Sequence, residues 1–183
     1  MPTKAQMDDF VQSRFDQAIR ESEYLTDRLR PEPPGRRGAD NRQIKRFGNS
    51  FIYFRGTEST RAISSVDADL VILDEFDQMA AGTQERVLSR IASSSNGKII
   101  IASTPRIPGA GISALYLKSD RNIYQIPCPS CGLEQPLEWD RNVDQDTAKI
   151  VCNRCHSIMD GTTAGRWVPA SGRDYPLRGY HLN

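Results

Sequence analysis

Two cysteine pairs carry the most specific chemistry in this chain. Cys128 and Cys131 lie in CPSCG, Cys152 and Cys155 in CNRC, and the spacing is C-x2-C-x20-C-x2-C. Each C-x2-C turn directs two sulfurs at one centre, and two such turns close a tetrahedral four-thiolate site of the kind that holds structural Zn2+. A closed site leaves no position for water, so the expected role is structural. The ion supplies folding energy that a loop-rich module of about 40 residues lacks. CNRCH, Cys152 to His156, also matches the C-x-x-C-H of covalent haem attachment. That chemistry requires an export signal and leaves the first pair unexplained. His156 is therefore expected at the surface or behind the ligands, where Gly often follows such a pair.

The second candidate is acidic. In DLVILDEFDQ, Asp69 to Gln78, an apolar run ends in Asp74 and Glu75. Open α/β sheets bind ligands at the carboxyl ends of their strands. Nucleotide hydrolysis needs two carboxylate roles there: one to hold Mg2+, usually through water, and one to polarise the attacking water. Asp74 fits the first role and Glu75 the second. An acidic pair after a buried strand is equally compatible with a solvated strand exit, and Asp77 reads as a helix cap or surface acid. About 25 residues on, IIIASTPR brings another buried strand to Ser103 and Thr104, with Pro105 as breaker; these hydroxyls are placed to sense the γ-phosphate or the water. The phosphate cradle itself is missing. A P-loop needs G-x-x-x-x-G-K-[ST], and the one Gly-Lys pair, Gly97-Lys98, has Ala92 before it and Ile99 after it.

The elements that must position these groups follow from pattern. Thr3 and Gln6 form a capping box ahead of an amphipathic helix over residues 4 to about 22, with Phe10, Val11, Phe15, Ala18 and Ile19 at helical spacing. RPEPPGRRGADNRQ, Arg30 to Gln43, reads as a linker. SFIYFRG reads as a strand, and STRAISS, Ser59 to Ser65, as a short helix. DLVILDE reads as a strand buried on both faces. Val87, Leu88 and Ile91 mark a helix with Thr83 as its cap, and GKIIIASTP is a second buried strand. The alternation predicts a mostly parallel α/β sheet. From Ile126 to about Trp167 the chain turns cysteine-bearing and turn-rich, as a small separate module does. Trp139 and Trp167 flank it and are expected to pack in a core.

The chain has 183 residues, 38 % hydrophobic and 26 % charged, with a net charge of +1. That suits one medium domain or a domain plus a small module, and overall charge implies no partner. Basic residues crowd one stretch: Arg28, Arg30, Arg36, Arg37, Arg42, Lys45 and Arg46. It reads either as a solvated connector or as a phosphate-contacting surface. No apolar run of about 18 residues exists to span a membrane, and MPTKAQMDDF has no apolar signal core.

Taken in order, these motifs resemble the large terminase subunits of tailed bacteriophages, the lambda-like kind. PTKAQMDDFVQSR resembles the segment after the second strand of the terminase ATPase, LVILDEFDQ its Walker B strand, and IIIASTPR its coupling motif. YQIPCPSCGLEQPLEW, CNRCHSIM and GRWVP resemble the cysteine-bearing stretch that follows, and GYHLN the start of the link toward a nuclease domain. The resemblance implies part of a P-loop-type, RecA-like ATPase over residues 1–125, a zinc-ribbon-like β module over 126–168, and the start of a linker over 169–183. It implies ATP-driven packaging of double-stranded DNA, with a separate metal-dependent nuclease. Implied partners are a small terminase subunit and the capsid portal, in a possible homo-oligomeric ring in the host cytoplasm. It assigns Asp74 to Mg2+, Glu75 to water activation, Ser103 and Thr104 to coupling, and the four cysteines to Zn2+. The P-loop is expected before Met1 and the nuclease carboxylates after Asn183, so this chain alone is expected to be inactive as an ATPase. Arg55, Arg61 and Arg106 lie near motif ends without any being assignable as the arginine that stabilises transition-state charge. Two rivals remain: a helicase fragment, since DEFD satisfies D-E-x-D and AST resembles S-A-T, and a non-enzymatic zinc-stabilised nucleic-acid-binding module.

Overall fold

Thr3 starts the first helix as its sequence demands. Its hydroxyl accepts the Gln6 N–H at 3.2 Å, and the Gln6 side chain accepts the Thr3 N–H at 3.2 Å, so two otherwise orphaned donors are satisfied. Helix α1, Lys4–Phe10, runs through a π-helical turn, Val11–Phe15, into α2, Asp16–Glu21. Ser22 then caps the short α3, Glu23–Thr26. The computed structural model describes residues 1–28, 42–59, 63, 66–170 and 175–182. Most of the expected linker and short helix, with Arg30, Arg36, Arg37 and Arg61, lies outside them. The chain divides into two compact units, Met1–Thr104 and Pro105–Asn183.

In the first unit the strand expected at SFIYFRG is one arm of an antiparallel hairpin. Strands β1, Ile44–Phe47, and β2, Ser50–Tyr53, pair directly. Gly48 takes φ 56° at the first position of their two-residue turn, a conformation that Gly adopts without steric cost. Phe15 packs against Phe47 and Phe54, and Phe10 against Phe54, which seats the π-turn on the hairpin. Lys45 of the basic stretch reaches Asp16 at 3.0 Å, and the Arg28 guanidinium stacks on Tyr24. Part of that stretch is thus committed within the unit.

Strands β3, Leu70–Asp74, and β4, Lys98–Ala102, pair in parallel, with Asp74 opposite Ala102. Between them lies α4, Thr83–Ile91. Its cap is Gly82 at φ 78°, and Thr83 is the first helical residue, its hydroxyl donating to Ala80 C=O at 2.7 Å. Gly97 faces the end of that helix so closely that a Cβ would sit 2.6 Å from the Ile91 carbonyl oxygen. That contact, not phosphate binding, explains the glycine before Lys98. The expectation that β3 is buried on both faces is not met. Leu73 is buried, while Leu70, Ile72 and Ile100 are exposed, because α4 packs on β3 and the sheet has two strands. The architecture is mixed α/β with small sheets; among the described residues parallel pairing is confined to β3–β4 and one short pair in the second unit.

The second unit opens with α5, Gly111–Leu117, and centres on β5, Asn122–Pro127. The remaining elements are β6, Glu134–Gln135, α6, Trp139–Asn142, β7, Val143–Asp144, β8, Lys149–Ile150, β9, Arg166–Pro169, and β10, Tyr180–His181. β9 pairs antiparallel and β10 parallel with β5, Asn122 having a partner in each, and β6 pairs at its far end. Tyr124, Trp167 and Tyr180 meet edge to face across this sheet. Trp139 is 71 % exposed, so it does not pack in a core as expected; it stands at the solvent side of the short α6. Asp120 anchors the C-terminal strand. Its carboxylate accepts Gly179 N–H at 2.9 Å and the Asn122 amide at 2.6 Å, with Arg178 at 3.7 Å.

Two turns of the same form carry the cysteines. Cys128 N–H donates to Leu133 C=O and Gly132 N–H returns to Cys128 C=O; Cys152 N–H donates to Ser157 C=O and His156 N–H returns to Cys152 C=O. Both returning residues are left-handed, Gly132 at φ 71° and His156 at φ 57°. Gly bears that conformation freely and His does not. His156→Gly is therefore expected to stabilise the folded chain by about 0.5–1 kcal/mol, read from urea unfolding; destabilisation would show that the imidazole makes a needed contact. Asp120 gives a second expectation. Burial raises its carboxyl, but the Gly179, Asn122 and Arg178 contacts outweigh that and leave it below the usual aspartate range. A depressed folded value contributes stability that is complete above the ordinary ~3.9 and lost as pH falls through the lower folded value. The protection of the Gly179 amide against hydrogen exchange, relative to its intrinsic rate at each pH, should fall in that acidic window, and the fall should vanish in Asp120→Asn.

Candidate metal centre and acidic strand end

The two cysteine turns face each other. The Sγ atoms of Cys128, Cys131, Cys152 and Cys155 all lie within 4.8 Å of one another. Cys128 and Cys155 are 3.7 Å apart, and Cys131 and Cys152 are 3.6 Å apart. Sulfurs held about 2.3 Å from one tetrahedral ion stand roughly 3.8 Å apart, so the four donors fit a metal ion by spacing and by type. No disulfide links them. Cys128 and Cys152 are buried and belong to the unit's core with Ile126 and Met159, against which Tyr124, Leu133, Leu137 and Ile150 pack.

The hydrogen bonds at the sulfurs are uneven. Burial pushes the Cys152 thiol up, yet the Cys155 and Arg154 amides and the Gln135 side chain outweigh it and bring it down to about 6. The Leu133 amide draws Cys131 down, but burial and the three neighbouring sulfurs push it up to about 11. Ser157, within 3.3 Å of Cys128 and 3.1 Å of Cys155, lowers Cys128. The contacts thus favour the thiolate at Cys152 and the thiol at Cys131. Four thiolates this close need a cation to ionise together.

In the first unit the structure brings the acidic pair and the hydroxyl motif to one strand end. Ser103 follows β4 and its Oγ accepts the Asp77 N–H at 3.0 Å, while donating to Thr104 C=O at 3.2 Å. Asp77 is the middle residue of a 3-10 turn, Phe76–Gln78, whose cap is Glu75, so it does not serve as that cap, and it is half-buried. Glu75 caps that turn at φ 60°, ψ 44°. A left-handed non-glycine residue costs about 1–3 kcal/mol and persists where its surroundings over-determine it. The constraints are visible. Gln78 N–H donates to Glu75 C=O at 3.0 Å, and Gln78 Nε2 donates to Glu75 Oε2 at 3.0 Å. Gln6 Nε2 in turn donates to Gln78 Oε1 at 3.3 Å. Gln6 was legible only as a capping residue and Gln78 not at all; their reach to Glu75 has no sequence signal.

The arginines near these motifs divide. The Arg55 guanidinium donates to Gln43 and Phe54 carbonyls, so it is used within its own unit. Arg106 is exposed.

A family model described as phage terminase large subunit gpA, ATPase domain, matches residues 1–173 of the chain. The searches of curated proteins and of solved structures returned no match. The family match decides between the terminase and helicase readings of the same two strands. No described helix is long and apolar enough to cross a membrane. On the strength of a match over nearly its whole length, the chain belongs to the family of phage terminase large subunit gpA ATPase domains.

Proposed function

We propose that this chain supplies the water-activating and coupling half of the ATPase of a DNA-packaging motor, followed by a module stapled by Zn2+. The observation that carries the reading is the in-register parallel pairing of β3 with β4, which sets Ser103 against the turn after Glu75. Asp74 is assigned to hold Mg2+, an ion that, bound with nucleotide, neutralises charge on the β- and γ-phosphates. Glu75 is assigned to polarise the attacking water: Gln78 engages its Oε2, leaving Oε1 to accept the water's proton. Ser103 and Thr104 are assigned to coupling, because one hydroxyl joins the end of β4 to the backbone of the 3-10 turn. The open apolar face of β3–β4 suits two strands of a larger RecA-like sheet. Residues 1–125 are assigned to the ATPase portion, 126–168 to the zinc module and 169–183 to a link toward a nuclease. Double-stranded DNA is the proposed substrate of the motor, with the small terminase subunit and capsid portal as partners in the host cytoplasm. The four cysteines are assigned to Zn2+ because thiolates and tetrahedral spacing suit it.

In the full-length protein, Glu75→Gln is expected to lower ATP turnover by about 10²-fold or more while nucleotide still binds, as measured by steady-state hydrolysis and equilibrium titration. Unchanged turnover would remove Glu75 from the role. The isolated chain, which contains no P-loop motif, is expected to turn over ATP weakly or not at all; robust Mg2+-dependent turnover would contradict the division of the site. For the cysteine cluster, elemental analysis should find one Zn2+ per chain, and a chelator should cost the second unit its cooperative unfolding. Protein that carries no metal and unfolds identically with chelator would remove the Zn2+ assignment.

A further inference from the structure

Behind the sulfurs lies a side chain whose four hydrogen-bonding positions are all filled. Gln135 is 3 % exposed. Its Nε2 donates to Cys152 Sγ at 3.2 Å and to Met159 Sδ at 3.2 Å. Its Oε1 accepts the Asn142 side-chain amide at 3.1 Å and the Asn153 N–H at 2.9 Å. Those four contacts exhaust the two donors and two lone pairs of a primary amide. They also fix its orientation, since a flipped amide would turn its oxygen on two sulfurs and its hydrogens on two donors. Asn142, 1 % exposed, is held in turn: its Nδ2 also donates to Val151 C=O at 3.0 Å and its Oδ1 accepts Glu138 N–H at 2.9 Å.

We propose that Gln135 is a positioning residue of the metal centre, holding Cys152 by an N–H···S hydrogen bond that drains charge from the bound sulfur and fixes its direction. The proposal rests on reading the cluster as a metal site. A four-thiolate site around a divalent ion carries a net charge of about −2, and inside a core that charge needs donors aimed at the sulfurs. Gln135 supplies one from a side chain with no freedom to turn away. The Asn142 contact makes the arrangement a two-residue relay: Asn142 aims Gln135, and Gln135 aims Cys152. A purely structural amide would fill the same space, but its removal would leave the metal's electronic environment unchanged.

The test is titration of the full chain with Co2+ and then Zn2+, in wild type, Gln135→Met and Met159→Leu. Wild type should bind one Co2+ with the visible bands and intense sulfur-to-metal charge transfer of a tetrahedral thiolate site. Gln135→Met, close in volume but without the donor, should bind Zn2+ about 10–100-fold more weakly. Its charge-transfer band should move to longer wavelength, because a sulfur without its hydrogen bond gives up an electron more easily. Met159→Leu removes the other acceptor and should leave the band in place. In wild type loaded with 113Cd, the Gln135 side-chain amide proton should show coupling to the metal across the hydrogen bond. Absence of Co2+ binding in wild type would defeat the metal reading itself. Normal wild-type binding with an unmoved band and affinity in Gln135→Met, or no coupling to 113Cd, would overturn the role of Gln135. If Gln135→Met does not fold, the 113Cd coupling decides.

Discussion

Four sulfurs within 4.8 Å of one another can all be ionised together only with something positive between them, and the second unit is organised around that cluster. Its core is small: the buried residues that pack together are Ile126, Cys128, Cys152 and Met159, so half of the apolar centre consists of ligand side chains. β7–β8 and β6–β5 contribute two-residue pairings, too short for independent stability. What fixes the loops between them is the pair of matching cysteine turns, each closed by two backbone bonds. Loss of an ion held by these four sulfurs would therefore do more than leave a site empty. It would put like-charged or protonated sulfurs together in the core and release the turns that they tie down.

The first unit shows a different constraint. β3 and β4 present Leu70, Ile72 and Ile100 to solvent, an apolar face of the kind that a soluble protein does not usually leave uncovered. On the opposite face Leu73 and Val87 are buried. The strand pair thus has a firm side and an open side, and the acidic residues leave from its end. Glu75 is bent into the left-handed region there, and the bend is held by side chains from two places in the sequence, Gln78 locally and Gln6 through Gln78. The same Gln6 carboxamide oxygen completes the capping box with Thr3. One residue thus stabilises the start of a helix and, with its other end, steadies the carboxylate assigned to water activation.

Legibility followed the range of the interaction. The cysteine quartet was visible because a four-thiolate site is written in spacing: two residues within each turn and a span of 20 between turns, at the edge of the usual range. The capping box and the long helix were visible for the same reason, since both are decided within a few residues. The hairpin was missed although Gly48-Asn49 signals it, because the aromatic run after the turn read alone as a strand of a parallel sheet. Trp139 flanks the module as a core residue would, yet its backbone opens a four-residue helix at the surface. The half-exposure of β3 has no local signal, because its apolar run is what a strand covered on both faces looks like, and two strands with one helix cover only one.

Gln135 and Asn142 illustrate what no local pattern can hold. Each is a polar residue in a short or irregular element, and composition places both on the surface. They are buried because each fills the other's hydrogen-bonding capacity while the remainder is spent on sulfur and backbone. That balance depends on the two cysteine turns having already met, since Asn153 N–H and Cys152 Sγ come from the second turn and Gln135 from the strand after the first. Buried amides of this kind are favourable only when every donor and acceptor is satisfied. The order of dependence is therefore ligand turns first, amides second: the sulfurs make the amide pocket worth burying, and the amides then hold a sulfur where an ion would need it.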